Sequence, residues 1–328
     1  MKHLFRRSAL AALVVSSLSI SAPLAQAADY PSKAINIVVG YPAGGSVDLT
    51  ARVLGEALSE RLGQSVVIEN VGGAGGTIGA SKVARATADG YTLLVGSTNE
   101  MVIARMINSA VRYDGLKDFT PISMIAAQPM MLVASKGSGV TNAAQYLSKL
   151  RSGKSGDYNF GSSGVGTALH LAGEMVNEST QTHAGHIPYR GVAPLLTDLV
   201  SGQLDYGVFV MSSGLPHVKS DKVVALGVTE ARRSPAAPDI PALSETPGFE
   251  KVDINVWFGL YGPAGLPKDV VAALQAAVDD VLQQDGFREK LAASGATLYK
   301  PGMDAKAFQV AETQKYARLV EIAKIERQ

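Results

Sequence analysis

From residue 33 onward, short runs of β-branched residues alternate with stretches whose apolar residues recur at helical spacing, and most runs empty into glycine and small polar residues. That order is the pattern of a parallel α/β sheet. Ile35 to Val39 reads as a strand, and the helix after it carries apolar residues at Val47, Ala51, Leu54, Leu58 and Leu62. Between them lies Tyr41-Pro42-Ala43-Gly44-Gly45-Ser46-Val47-Asp48. Glycines there let the backbone approach a ligand, and the unpartnered amides of the following helix form an anion seat. Asp48 in the first turn suits the helix dipole but repels a bare anion, so it is expected to orient water or to accept a ligand or backbone hydrogen. An ordinary strand-to-helix turn accounts for the same residues.

The pattern continues with a strand at Val66 to Glu69, a glycine-rich turn containing Gly75, Gly76 and Thr77, and a helix to about Arg85. A third strand, Tyr91 to Val95, ends in Gly96-Ser97-Thr98-Asn99. Parallel strands bring such loops to one edge, so the three should line one crevice. A second unit begins after Met130 to Ala134. It has a helix from Asn142 to Leu150, a strand at Tyr158 to Phe160, and the turn Gly161-Ser162-Ser163-Gly164-Val165-Gly166-Thr167 before another helix. Ile187 to Gly191 leads into a helix over Ala193 to Val200, and Leu204 to Val210 ends in the polar loop Met211 to Gly214. Val223 to Val228 completes the unit. The strand Ile254 to Tyr261, the helices Lys268 to Gln284 and Gly286 to Ala293, the strand Thr297 to Tyr299 and a last helix from about Asp304 to Ile325 then return to the first unit. Two crossing strands, near residues 130 and 256, would connect the lobes. The lone tryptophan, Trp257, lies on the second, where closure of the cleft is expected to alter its contact with water.

Lys2, Arg6 and Arg7 precede an apolar run from Leu10 to Ile20, and Ala25-Gln26-Ala27 follows. Residues 1–27 therefore read as a cleavable secretory signal, with the exported chain beginning at Ala28. No later stretch is long and apolar enough for a membrane helix, so the exported chain is expected to be soluble. The remaining residues, with 27 basic against 29 acidic, argue against nucleic acid or a membrane surface as a partner. The absence of cysteine excludes thiolate metal sites and thiol catalysis. His183 and His186 form the one close histidine pair beyond residue 27, with no carboxylate or third histidine nearby in sequence, and read as surface residues rather than metal ligands.

Neither Gly73 to Ile78 nor Gly164 to Leu169 completes a dinucleotide fingerprint, and no Gly-Lys-Ser/Thr follows a glycine loop. Gly161-Ser162-Ser163-Gly164 begins like a nucleophile elbow but fails at Val165, and no orienting acid is identifiable beside His170. Neither a cofactor nor a catalytic or metal site is expected.

Tyr41 to Asp48, the loop Asn70 to Gly79, Gly161 to Glu174, His186 to Gly191 with Asp198 and Asp205 beyond it, and Trp257 to Gly259 before Pro263 to Pro267 together resemble the tripartite tricarboxylate transporter receptors, the Bug periplasmic solute-binding proteins. The resemblance runs in order along the chain beyond the signal stretch. It implies a periplasmic, monomeric, non-enzymatic receptor with a two-lobed periplasmic-binding-protein fold of type II-like form. Two parallel-type sheets would be joined by two crossing strands, with lobe 1 from residues 28–131 and 254–328 and lobe 2 from 132–253. The lobes would close on a small carboxylated solute, a di- or tricarboxylate or an aromatic carboxylate, and deliver it to inner-membrane permease subunits. Another importer or a sensory system could use the same fold; a secreted hydrolase is the remaining alternative. The implied binding residues are Tyr41, Ala43, Gly44, Gly45, Asp48, Gly75, Gly76, Thr77, Ser97 and Asn99 on one side, and Ser162, Ser163, Gly166, Thr167, His170, Arg190, Gly191 and Asp205 on the other. The alternative account is turn formation and helix capping for Ser162, Ser163 and Thr167, a pairing with Glu174 for His170, and a solvated charge for Arg190. Where the family commonly shows a second proline, this chain has Ala43.

Overall fold

The computed structural model describes residues 30–325, apart from residue 155, and residue 327; the signal stretch 1–27 and the start at Ala28 lie outside it. The first unit is β1 (Ile35–Val39), α1 (Ser46–Leu62), β2 (Val66–Asn70), α2 (Thr77–Ala84) and β3 (Thr92–Ser97). β2 and β3 flank β1 in parallel, as their βα connections require. On α1, Val47, Ala51, Leu54 and Leu58 are buried, the stripe that its spacing implies. The glycines bring the β1–α1 and β2–α2 turns into contact: a Cβ on Gly40 would lie 2.6 Å from the Gly76 carbonyl oxygen.

After β3 the chain does not remain a loop. Asn99–Ile103 forms a wide helical turn continuing into α3 (Ala104–Ile107). β4 (Phe119–Ser135) follows, then α4 (Ala143–Ser152), β5 (Asn159–Ser162), α5 (Ala168–Thr180) and β6 (Gly185–Pro188). Next are α6 (Val192–Ser201), β7 (Tyr206–Val210), α7 (Met211–Lys219) and β8 (Val223–Val228). The return consists of β9 (Asn255–Pro263), α8 (Lys268–Gln283), α9 (Asp285–Ala293), β10 (Thr297–Leu298) and α10 (Ala305–Ile322).

Both sheets are mixed rather than purely parallel. The parallel sets β2-β1-β3 and β6-β5-β7 are the outer parts, and antiparallel pairings of β9 with β3 and of β4 with β7, β8, β9 and β10 supply the rest. β4 belongs to both sheets. Phe119 to Pro129 pair with β9, whereas Met130 to Ala134 pair with β7. Beside this junction the buried Thr229 hydroxyl donates to the Ile254 carbonyl at 2.6 Å and accepts from the Met130 amide at 3.0 Å, fastening the two crossings together. Met211 to Gly214 are not a loop after β7 but the first turn of α7.

Candidate functional site

The β1–α1 turn is held from behind by Asp48. Its carboxylate accepts from the Gly44 amide at 2.9 Å, from Arg52 Nε at 2.9 Å and from Asn70 Nδ2 at 2.9 Å. Burial alone would raise this acid, but the bonds from Arg52, Gly44 and Asn70 hold it below the usual carboxylate range. Its charge is thus spent on the turn, and the backbone-hydrogen role is the one Asp48 has. Gly44 needs its glycine, because its φ of 89° lies in the left-handed region.

In front of the turn lies a cavity of about 290 Å³. One wall is Tyr41 to Val47 with Ser97, Asn99, Val256 and Phe258; the other is Ser163, Leu169, Arg190 to Pro194, Leu196, Val210, Ser213 and His217. The N-termini of α1 and α6 open onto it from opposite walls, capped only by Gly45 and Gly191. No side chain among the described residues accepts from their first-turn amides, so both keep unpartnered donors and positive dipole ends at the cavity. Arg190 is exposed and has no carboxylate within ion-pair distance among the described residues. His217 stays neutral more readily than an ordinary histidine, through burial and then Lys222. The remaining surface is largely apolar. The site therefore suits an anion with a hydrocarbon body, received by backbone amides and one guanidinium.

Nine of the implied residues meet at this cavity: Tyr41, Ala43, Gly44, Gly45, Ser97, Asn99, Ser163, Arg190 and Gly191. Gly75 and Gly76 line an adjoining groove that shares Tyr41, Pro42, Ser163 and Arg190 with it. The others lie outside both spaces. Thr77 donates to the Ala74 carbonyl. Thr167 is fully buried as the cap of α5, accepting from the His170 amide and donating to the Gly164 carbonyl. Gly166 donates its amide to His170 Nδ1 at 3.1 Å and packs on Ile107, where a Cβ would come within 1.8 Å of Cδ1. Asp205 precedes β7, the strand end opposite the cavity, and accepts from the Asn159 amide.

His170 and His186 stack with centroids 3.8 Å apart, and His170 Nε2 lies 3.6 Å from Glu174. His186 is therefore partnered rather than a free surface group. Burial and then His170 push it down to about 3, so it is neutral and accepts or donates as a plain imidazole. Its Nε2 is 2.7 Å from the Ser162 hydroxyl, the spacing of a nucleophile and its base, yet Ser162 is fully buried and lines neither space. No cluster of metal-ligating residues occurs among the described residues. Trp257 faces away from the cleft: it is fully buried, bonds Glu312 through Nε1 at 3.0 Å and packs on Phe308. Val256 and Phe258, its neighbours on the strand, are the residues that reach the cavity.

Sequence reasoning missed Ser213 and His217, hidden by reading Met211 to Gly214 as a loop, and it missed Glu100. Glu100 is 1% exposed beneath the cavity floor. It accepts from the Ser97 amide and the Ser97 hydroxyl, each at 2.6 Å, and lies 3.1 Å from the Tyr41 hydroxyl. Burial outweighs these bonds and pushes the acid up to about 7. An acid opening the apolar run Met101-Val102-Ile103 was the available signal.

The chain is similar to proteins of one known family. Residues 50–325 match the model of the tripartite tricarboxylate transporter family receptor. Protein BugT of Bordetella pertussis is 30% identical over 97% of this chain and 97% of its own. Among solved structures, Rpa4515 of R. palustris with adipate is 31% identical, with a TM-score of 0.86 over 91% of this chain and 99% of that one. The periplasmic binding protein BugD is 32% identical, with a TM-score of 0.85 over 91% and 100%.

Proposed function

This chain belongs to the tripartite tricarboxylate transporter receptor family, and on that premise we propose that it captures a linear dicarboxylate with an apolar spacer between two closing lobes. One carboxylate is received at the N-terminus of α1 and the other at the N-terminus of α6 beside Arg190. The observation that carries this reading is the pair of uncapped helix N-termini facing one cavity from opposite walls. Adipate, the solute in the Rpa4515 structure, has that form. The protein acts as an extracytoplasmic receptor that hands its solute to the membrane subunits of a tripartite tricarboxylate transporter. We take lobe 1 as residues 28–131 and 254–328, lobe 2 as 132–253, and the working form as a periplasmic monomer released from its signal peptide.

A thermal-shift screen tests the reading, because a ligand that binds only the folded state raises the melting temperature. Straight-chain dicarboxylates of four to eight carbons should raise it, citrate and monocarboxylates of equal length much less. A stronger response to citrate than to every dicarboxylate would refute the apolar spacer, and no response to any carboxylate would refute the site.

A further inference from the structure

Beneath the solute cavity a chain of hydrogen bonds runs from a buried acid in one lobe to a helix of the other. Glu100 is held by both donors of Ser97 and faces the Tyr41 hydroxyl. That hydroxyl lies 2.8 Å from the Gly75 carbonyl and accepts from Asn99 Nδ2 at 2.7 Å. With Nδ2 donating one hydrogen to Tyr41, the Asn99 carboxamide turns its oxygen the other way, and Oδ1 accepts from the Ala168 amide at 2.5 Å. Ala168 is the first residue of α5, whose amides have no intrahelical acceptor.

We infer that Asn99, oriented by Tyr41 and Glu100, is a latch that holds the α5 end of lobe 2 against lobe 1 and so keeps the cleft shut over the solute. The inference rests on reading the cavity as the solute site. Three features make the chain a latch rather than incidental packing. The bond crosses the cleft, whereas the bonds of Thr229 join the crossing strands at the hinge. It is sheltered, with Asn99 and Ala168 both buried, so water does not replace it while the lobes are together. Tyr41, Ser97 and Asn99 also line the cavity, so a solute seated there lies against the members of the chain. Opening the cleft would strand the Asn99 oxygen and the first amide of α5 unless water entered to meet them. Asn99, Tyr41 and Glu100 are thus positioning residues for capture, and Glu100 acts without touching the cavity.

The chain lacks cysteine, so a spin-label pair at Val67→Cys and Val200→Cys, exposed positions on the two lobes, reports their separation cleanly. Distances and exchange of the Ala168 amide would be measured without solute and with saturating adipate, in this background and with Tyr41→Phe or Asn99→Ala added. The latch predicts a closed population that each variant lowers about three- to tenfold, with faster Ala168 exchange and folded-state circular dichroism unchanged. Tyr41→Phe keeps the ring and its packing, so it separates the hydroxyl from the bulk. A labelled parent that is open in both conditions, or variants with parental distances and exchange, would overturn the latch. Failure of adipate to raise the melting temperature would count instead against the proposed solute, and leaves the solute-free distances to judge the latch.

Discussion

Replacing Glu100 by glutamine keeps the shape of the side chain and removes its titration. The acid is pushed from 4.5 to about 7 in the folded protein, which corresponds to about 3 kcal/mol against the ionised folded state. Below pH 4.5 both folded and unfolded chains hold the proton and the wild type bears no penalty. Between about 4.5 and 7 the unfolded chain releases the proton first, so stability falls as pH rises; above 7 the penalty is constant. Glutamine can keep its oxygen on the Ser97 amide and turn its NH₂ toward the Ser97 or Tyr41 hydroxyl, each able to rotate and accept. The packing cost of the substitution is then the same at every pH. Urea unfolding of both proteins from pH 4.5 to 8.5 should show Glu100→Gln gaining about 3 kcal/mol on the wild type across that range, most of it before pH 7.5. A difference between the two proteins that stays flat with pH would refute the argument, because it would mean that Glu100 titrates alike in the folded and unfolded chains.

Arg190→Gln should weaken the best-binding dicarboxylate roughly ten- to a hundredfold by calorimetry, the cost of losing a charged hydrogen bond, and should flatten the salt dependence. Unchanged affinity would remove Arg190 from the site. Thr167→Val should lower stability by about 1 kcal/mol through loss of the α5 cap, with solute affinity changed less than stability; a large loss of affinity at unchanged stability would place the hydroxyl on the solute after all. Intact-mass measurement of exported protein should give a chain beginning at Ala28, and a longer mature chain would contradict the Ala25-Gln26-Ala27 cleavage site.

The outer strands and their helices were legible because each carries its own period: β1 as an apolar run, α1 as a stripe with one face buried. The length of β4 was not, because Met130 to Ala134 is an unbroken apolar run, while Pro121 and Pro129 interrupt the stretch before it. Register shifts against β9 within Pro121 to Ala126 let the strand run past the first of these. The helical turn after Asn99 was masked by Ser97-Thr98-Asn99, whose polar side chains proved to be tied to Glu100, Trp257 and Ala168 rather than to a loop. In the site, glycines and Arg190 announced themselves by type. Thr167 and His170 did not reveal that their polar atoms serve the turn itself, since a hydroxyl capping a helix and one facing a ligand look the same in sequence. Asp205 shows that a polar residue beside a strand says nothing of which end of the sheet it occupies.

β4 makes the two lobes inseparable. A cut at residue 131 or 132 runs through a continuous strand that pairs with β9 as far as Pro129 and with β7 and β8 from Met130 and Met131 onward. Either half, expressed alone, would lose a central ladder and expose a raw edge prone to pairing with other chains. The lobes are therefore not interchangeable modules that could be grafted between receptors to mix specificities. The chain has to be acquired, and to fold, as one piece, and changes in what it captures must come from the loops and helix ends that face the cleft.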